Sequence, residues 1–104
     1  MDTVSPVGRR LKQARLIKGI TQKNLGVMSG LDSASASSRM NHYERGRHEP
    51  SYSQVVRFAS VLGFPVEFFY SEDDDLASVI VQYAKLNEEQ QALISSIIGE
   101  MLNV

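Results

Sequence analysis

Apolar residues recur along this chain at spacings of three and four, the mark of short amphipathic helices, and no segment alternates convincingly as a strand. Val7, Leu11 and Ala14 form the inward stripe of a first helix. Ser5 and Pro6 supply its N-cap and first-turn proline, and Gly19 can take the left-handed position after Lys18. Thr21 caps a second helix from about Gln22 to Ser29, with Leu25 and Met28 inward and Gly30 as the stop. The stretch Leu31 to Ser38 is rich in serine and alanine and offers the caps Asp32, Ser33 and Ser35. A third helix buries Met40 and Tyr43 and ends at Arg45 before Gly46. Pro50 prevents continuation through Arg47, His48 and Glu49.

Ser51 to Gln54 is a capping-box pattern that opens a fourth helix. This helix buries Val55, Phe58, Ala59 and Leu62 and stops at Gly63. Pro65 opens a short fifth helix through Phe69, where Val66, Phe69 and Phe64 close the bottom of the core; Phe68 also reads as core. After the acidic break Glu72 to Asp75, the residues Leu76, Val79, Ile80, Tyr83 and Leu86 fall on one helical face. Asn87 to Gln90 repeats the capping-box pattern and starts a last helix carrying Leu93, Ile94, Ile97, Ile98, Met101 and Leu102. There is no internal repeat, and the serine-rich run is too short for a disordered linker.

Composition narrows the function class mainly by exclusion. A chain of 104 residues, 42% hydrophobic and 22% charged, fits one soluble domain with an appended helix or two. The absence of cysteine excludes disulfides, thiolate metal sites and cysteine nucleophiles. The first ten residues lack the apolar core of a signal peptide, and no apolar run approaches about 18 residues, so the expected location is cytoplasmic with no membrane contact. Asp73, Asp74 and Asp75 read as an acidic linker rather than a cation site, and His42 and His48 have no metal-ligand company. No nucleophile, base and orienting group come together, so neither enzyme activity nor a cofactor is expected.

Charge distribution changes the picture. Residues 1–50 hold nine Lys and Arg against four acids, and residues 51–104 hold two against eight. The net charge of −1 therefore conceals a first half at +5 and a second at −6. A basic half next to an acidic half is what a protein needs when one end meets a polyanion.

The motifs agree with that polarity. Leu11-Lys12-Gln13-Ala14-Arg15, Gly19-Ile20-Thr21-Gln22 and Leu25-Gly26 are followed in order by Tyr43-Glu44-Arg45-Gly46, Pro50-Ser51 and Leu62-Gly63-Phe64-Pro65. In this series, across roughly residues 5–70, the chain resembles the lambda-repressor-like helix-turn-helix family, also called Cro/repressor or Xre type. Gly-x-Thr-Gln followed by Glu-Arg-Gly and Pro-Ser is the most specific part. The resemblance implies an all-α, five-helix DNA-binding bundle over residues 1–70, leaving 71–104 as one or two further helices for dimerisation. It implies a transcriptional regulator, most often a repressor, that binds double-stranded DNA as a homodimer.

Two short helices joined by a turn fix the second at a defined angle for entry into the major groove, where small or polar residues let the backbone approach. Here those residues are Ser35, Ala36, Ser37, Ser38, Arg39, Asn41 and His42. Arg39 has the chemistry for bidentate contact with guanine and Asn41 for pairing with adenine. The resemblance gives Gln22 a phosphate hydrogen bond at the start of the second helix. Arg9, Arg10, Lys23, Arg45 and Arg47 are candidate backbone contacts. It also pairs Arg15 with Glu44 as a structural salt bridge. One departure is clear: the segment between the second helix and Glu44 is three or four residues longer than the common pattern. Either the turn bulges, or the recognition helix gains a turn.

The stripe Leu93, Ile94, Ile97, Ile98, Met101 and Leu102 has two readings. It packs back over the fourth and fifth helices, or it meets a twin across a two-fold axis. Without a ligand-binding domain, no small-molecule effector is expected. Two other functions fit a helix-turn-helix chain of this size. One is an antitoxin that binds DNA and a toxin protein, and the other is a restriction-modification controller.

Overall fold

The computed structural model describes residues 4–103; the first three residues and the last, which the expected limits 1–70 and 71–104 include, lie outside the described residues. Seven helices follow one another: α1 (Val7–Lys18), α2 (Gln22–Met28), α3 (Ala36–Glu44), α4 (Tyr52–Leu62), α5 (Val66–Phe69), α6 (Asp74–Ala84) and α7 (Glu88–Leu102). There is no strand among the described residues. The fold is therefore all-α, with five helices in a bundle and two beyond it.

Helices α1 to α5 enclose one core. Val7, Leu11, Ala14, Leu25, Met40, Val55, Phe58 and Phe69 are essentially sealed from solvent, with Tyr43 edge-on to Phe58 at 6.0 Å. Met28 is a correction to the expected core: at 64% exposed it faces solvent, and Leu31 is buried instead. The end of α2 explains the exchange. Gly30 N–H donates to Val27 O at 3.1 Å and Leu31 N–H to Gly26 O at 2.9 Å, a paired closure that folds Leu31 back under the helix.

Local capping chemistry accounts for most helix starts. Thr21, Ser51 and Asp73 each accept from the backbone N–H three residues on, while Asn87 and Gln90 form a reciprocal capping box. Ser51 to Gln54 is only half the expected box. The Gln54 side chain instead donates from Nε2 to Ser29 O at 3.0 Å, tying α4 to the end of α2. The acidic run Asp73 to Asp75 forms the cap and first turn of α6, where negative charge is favoured by the helix dipole.

The last two helices depart furthest from expectation. Helix α6 turns Ala77 into the core, with Ile80 and Val81 packed partly against it, while Leu76, Val79 and Tyr83 stay exposed. The face read along Leu76, Val79, Ile80, Tyr83 and Leu86 is therefore turned only partly toward the bundle. Helix α7 buries none of its residues and packs extensively against no other helix, which rules out its folding back over α4 and α5. It is held to α6 by Gln91 Nε2, which donates to Tyr83 O at 3.0 Å. No helix is long and apolar enough to cross a membrane among the described residues.

Candidate nucleic-acid interface

The site is built on α2 and α3, and two glycines allow the close packing that holds them. A Cβ at Gly26 would lie 3.0 Å from Ala36 Cβ and 3.1 Å from Met40 Cγ, so a side chain there would wedge α2 off α3. A Cβ at Gly8 would meet Tyr43 O at 2.5 Å, so α1 rests directly on the backbone at the end of α3.

A charged network locks the three helices together. Arg15 Nε and Nη2 meet Glu44 Oε2 and Oε1 at 2.6 and 3.1 Å, and Arg15 Nη1 donates to Ile20 O at 3.0 Å. The Glu44 side chain is 2% exposed, so its charge depends on these donors. Gln22 Nε2, at the first position of α2, donates to Glu44 Oε1 at 3.1 Å and approaches Asn41 Oδ1 at 3.4 Å. In this arrangement the Gln22 amide braces α2 against α3.

The turn between α2 and α3 takes up the extra residues. Ser35 N–H donates to Asp32 O at 3.0 Å, closing a turn before α3 begins at Ala36. Of the two expected outcomes, the turn has lengthened and the helix has not gained a turn at its start. Ser35 occupies the cap position without a side-chain cap bond.

Helix α3 buries Ala36, Met40 and Tyr43. At 100° per residue the opposite face carries Ser38 and Asn41, continued by Arg45 just past the helix, with Ser37 and His42 on either side. Ser37, Ser38, Arg45 and Arg47 are exposed and Asn41 and His42 half-buried; Lys23 is exposed on α2. Arg39 lies on the flank of this face. Its Nη2 donates to Tyr43 Oη at 2.9 Å and its guanidinium sits 5.8 Å from the Tyr43 ring centre. The side chain is tethered back along the helix instead of reaching outward.

Arg10 must be removed from the interface. It is 2% exposed and faces the turn before α6, where Nε donates to Ser71 O at 2.8 Å and Nη2 pairs with Asp74 Oδ1 at 3.0 Å. Arg9 is drawn the same way, donating to Glu72 O at 2.7 Å. The tandem arginines gave no sign of this in the sequence, because two of the acceptors are backbone carbonyls that no residue type announces. The spacing roles of Gly8 and Gly26 were equally hidden, although Gly26 belongs to the motif series.

A locked helix pair presenting a small, polar, cation-flanked outer face defines a helix-turn-helix module. A profile described as a helix-turn-helix domain matches residues 6–67. The chain belongs to the helix-turn-helix family of DNA-binding proteins. Among solved structures it is similar to the crystal structure of the transcriptional regulator BswR, at 40% identity and a TM-score of 0.85. That alignment covers 92% of this chain and 95% of the other, and the uncovered remainder is shorter than either α6 or α7. The two C-terminal helices are therefore part of the likeness. No curated protein sequence matches the chain.

Proposed function

We propose that this protein is a sequence-specific transcriptional regulator of the lambda-repressor-like, Xre type. It acts in the cytoplasm as a homodimer on a two-fold symmetric operator and represses by excluding polymerase. The observation that carries this reading is the outer face of α3, where Ser38 and Asn41 lie opposite the buried residues, above the Arg15–Glu44–Gln22 network. A recognition helix has to approach base edges without bulk and in a fixed orientation, and those two properties coincide here. Lys23, Arg45 and Arg47 flank the face and supply phosphate contacts.

Dimerisation is assigned to residues 71–104. Leu93 and Met101 are 60% and 77% exposed, and Ile97, Ile98 and Leu102 are exposed with them, on a helix none of whose residues is buried. Between α6 and α7 lies an apolar groove of about 490 Å³, lined by Val79, Ile80, Tyr83, Ile94 and Ile98. Apolar surface of this kind needs a partner, and a two-fold operator requires a second copy. The reading uses no catalytic step, no cofactor and no small-molecule effector.

Selection of bound duplexes from a random pool tests the proposal. A two-fold symmetric motif with half-sites about one helical turn apart is the expected product. Recovery of sequences no different from the starting pool would reject sequence-specific binding.

A further inference from the structure

The largest side chain buried among the described residues is a charged one, Arg10. Every nitrogen of the Arg10 guanidinium has a partner: Nε donates to Ser71 O at 2.8 Å, Nη1 to Gln13 Oε1 at 2.9 Å, and Nη2 to Glu72 O at 3.3 Å and Asp74 Oδ1 at 3.0 Å. Its guanidinium also lies 5.5 Å from the Phe68 ring centre. A buried guanidinium is tolerated only when its donors are matched in this way, so Arg10 ties α1 to whatever supplies its acceptors.

Three of its four hydrogen-bonding partners lie within residues 71–74, the connection from the bundle to α6. Arg9 grips the same connection at Glu72 O, 2.7 Å away, and approaches Asp74 at 3.5 Å. Beyond this point α6 touches the core through Ala77 and the half-buried Ile80 and Val81, and α7 follows α6 through Gln91 and the Asn87 cap. Arg9 and Arg10 thus tie the start of α6 to α1, which also carries Arg15 and so holds α3.

We infer that Arg10, seconded by Arg9, is a positioning residue for operator recognition. It fixes the angle between the helix-turn-helix unit and the α6–α7 segment, and thereby sets the half-site spacing that the two recognition helices of a dimer can span. This rests on the dimeric operator-binding reading above. Two modules joined stiffly gain avidity only at the separation their geometry permits, whereas a loose joint spreads binding over several spacings.

Two measurements test it in the full chain. The first is a distance between spin labels on Asn24→Cys in α2 and Lys85→Cys at the end of α6; the sequence has no other cysteine. Labelled chains are diluted with unlabelled chains so that only the intrachain distance is read. The distribution is expected to be narrow, and to broaden with Arg10→Met and, less, with Arg9→Ala/Asp74→Ala. The second compares duplexes holding one half-site, or two at separations differing by single base pairs. The wild type is expected to prefer one separation by about 10-fold or more, and Arg10→Met to fall within about threefold across separations while single half-site affinity holds.

An unchanged label distribution in both variants, or a wild-type spacing preference in Arg10→Met, overturns the inference. So does a parallel loss of single half-site affinity, which is what mere destabilisation would give. If Arg10→Met does not fold, Arg9→Ala/Asp74→Ala decides, since both replaced side chains are solvent-exposed. If no duplex binds at all, the DNA-binding reading fails and the label distances alone decide the positioning role.

Discussion

Arg39 donates from Nη2 to the Tyr43 hydroxyl at 2.9 Å, one turn further along α3. The contact draws the arginine of α3 toward its flank and leaves Ser38 and Asn41 on the outer face. A solvent-exposed guanidinium beside an aromatic ring gains about 0.5–1 kcal/mol, which a groove contact would first have to replace. Arg39→Ala is therefore expected to weaken binding about equally on all operator variants and to lower the salt-dependence slope by about 1, the signature of a phosphate contact. Asn41→Ala is expected to relax preference at one base pair, at about 1–3 kcal/mol. Salt titrations against single-base operator variants check both, and a base-specific loss for Arg39→Ala would restore it as the guanine reader.

Arg15 and Glu44 set up a stability prediction. The Glu44 side chain is nearly sealed, so Arg15→Ala leaves a buried carboxylate with Gln22 as its remaining side-chain donor. The expected loss is about 3–5 kcal/mol in urea unfolding. Replacing both partners, as Arg15→Met with Glu44→Leu, should recover much of it, because an apolar pair leaves no uncompensated charge. Equal losses in the single and double variants would contradict this.

The two close-approach glycines predict an order. Gly→Ala inside a helix ordinarily gains about 1 kcal/mol. At Gly8 the added methyl meets the Tyr43 carbonyl at 2.5 Å, and backbone cannot yield, so Gly8→Ala should cost about 3 kcal/mol or more. At Gly26 the neighbours are the Ala36 methyl and the flexible Met40 side chain, so Gly26→Ala should cost less, about 1–2 kcal/mol. Thermal unfolding gives the ranking directly, and a stabilised Gly8→Ala would disprove the contact.

The bundle was readable from sequence where a local rule governs it. Helix stops at Gly19 and Gly63, caps at Thr21 and Ser51, and the family pairing of Arg15 with Glu44 need only neighbours or a motif. What escaped depends on contacts far along the chain. Arg10 looks like any basic surface residue until Ser71 and Glu72 carbonyls turn up beside it. Met28 sits in a helix of seven residues, too short for periodicity to define its phase, and the closure at Leu31 settles the matter. On α6 the large apolar side chains fall on one face by spacing, whereas the small Ala77 is the residue that enters the core. Gln54 completes a capping box by residue type and yet uses its side chain on Ser29 instead.

Helix α7 yields the prediction that separates assembly from folding. Its stripe is exposed and none of its residues is buried, so deleting residues 88–104 should leave the unfolding midpoint of the remaining chain little changed when both are compared as monomers. The same deletion should abolish dimers in sedimentation and lower operator affinity, because one recognition helix then binds without the avidity of its twin. Ile97→Glu places a charge in the middle of the stripe and should act in the same direction with the helix retained. Single half-site affinity should survive both changes, since α2 and α3 are untouched. A dimer that persists after the deletion would move the two-fold contact elsewhere, and the exposed Leu16 and Ile17 of α1 would be the next surface to test.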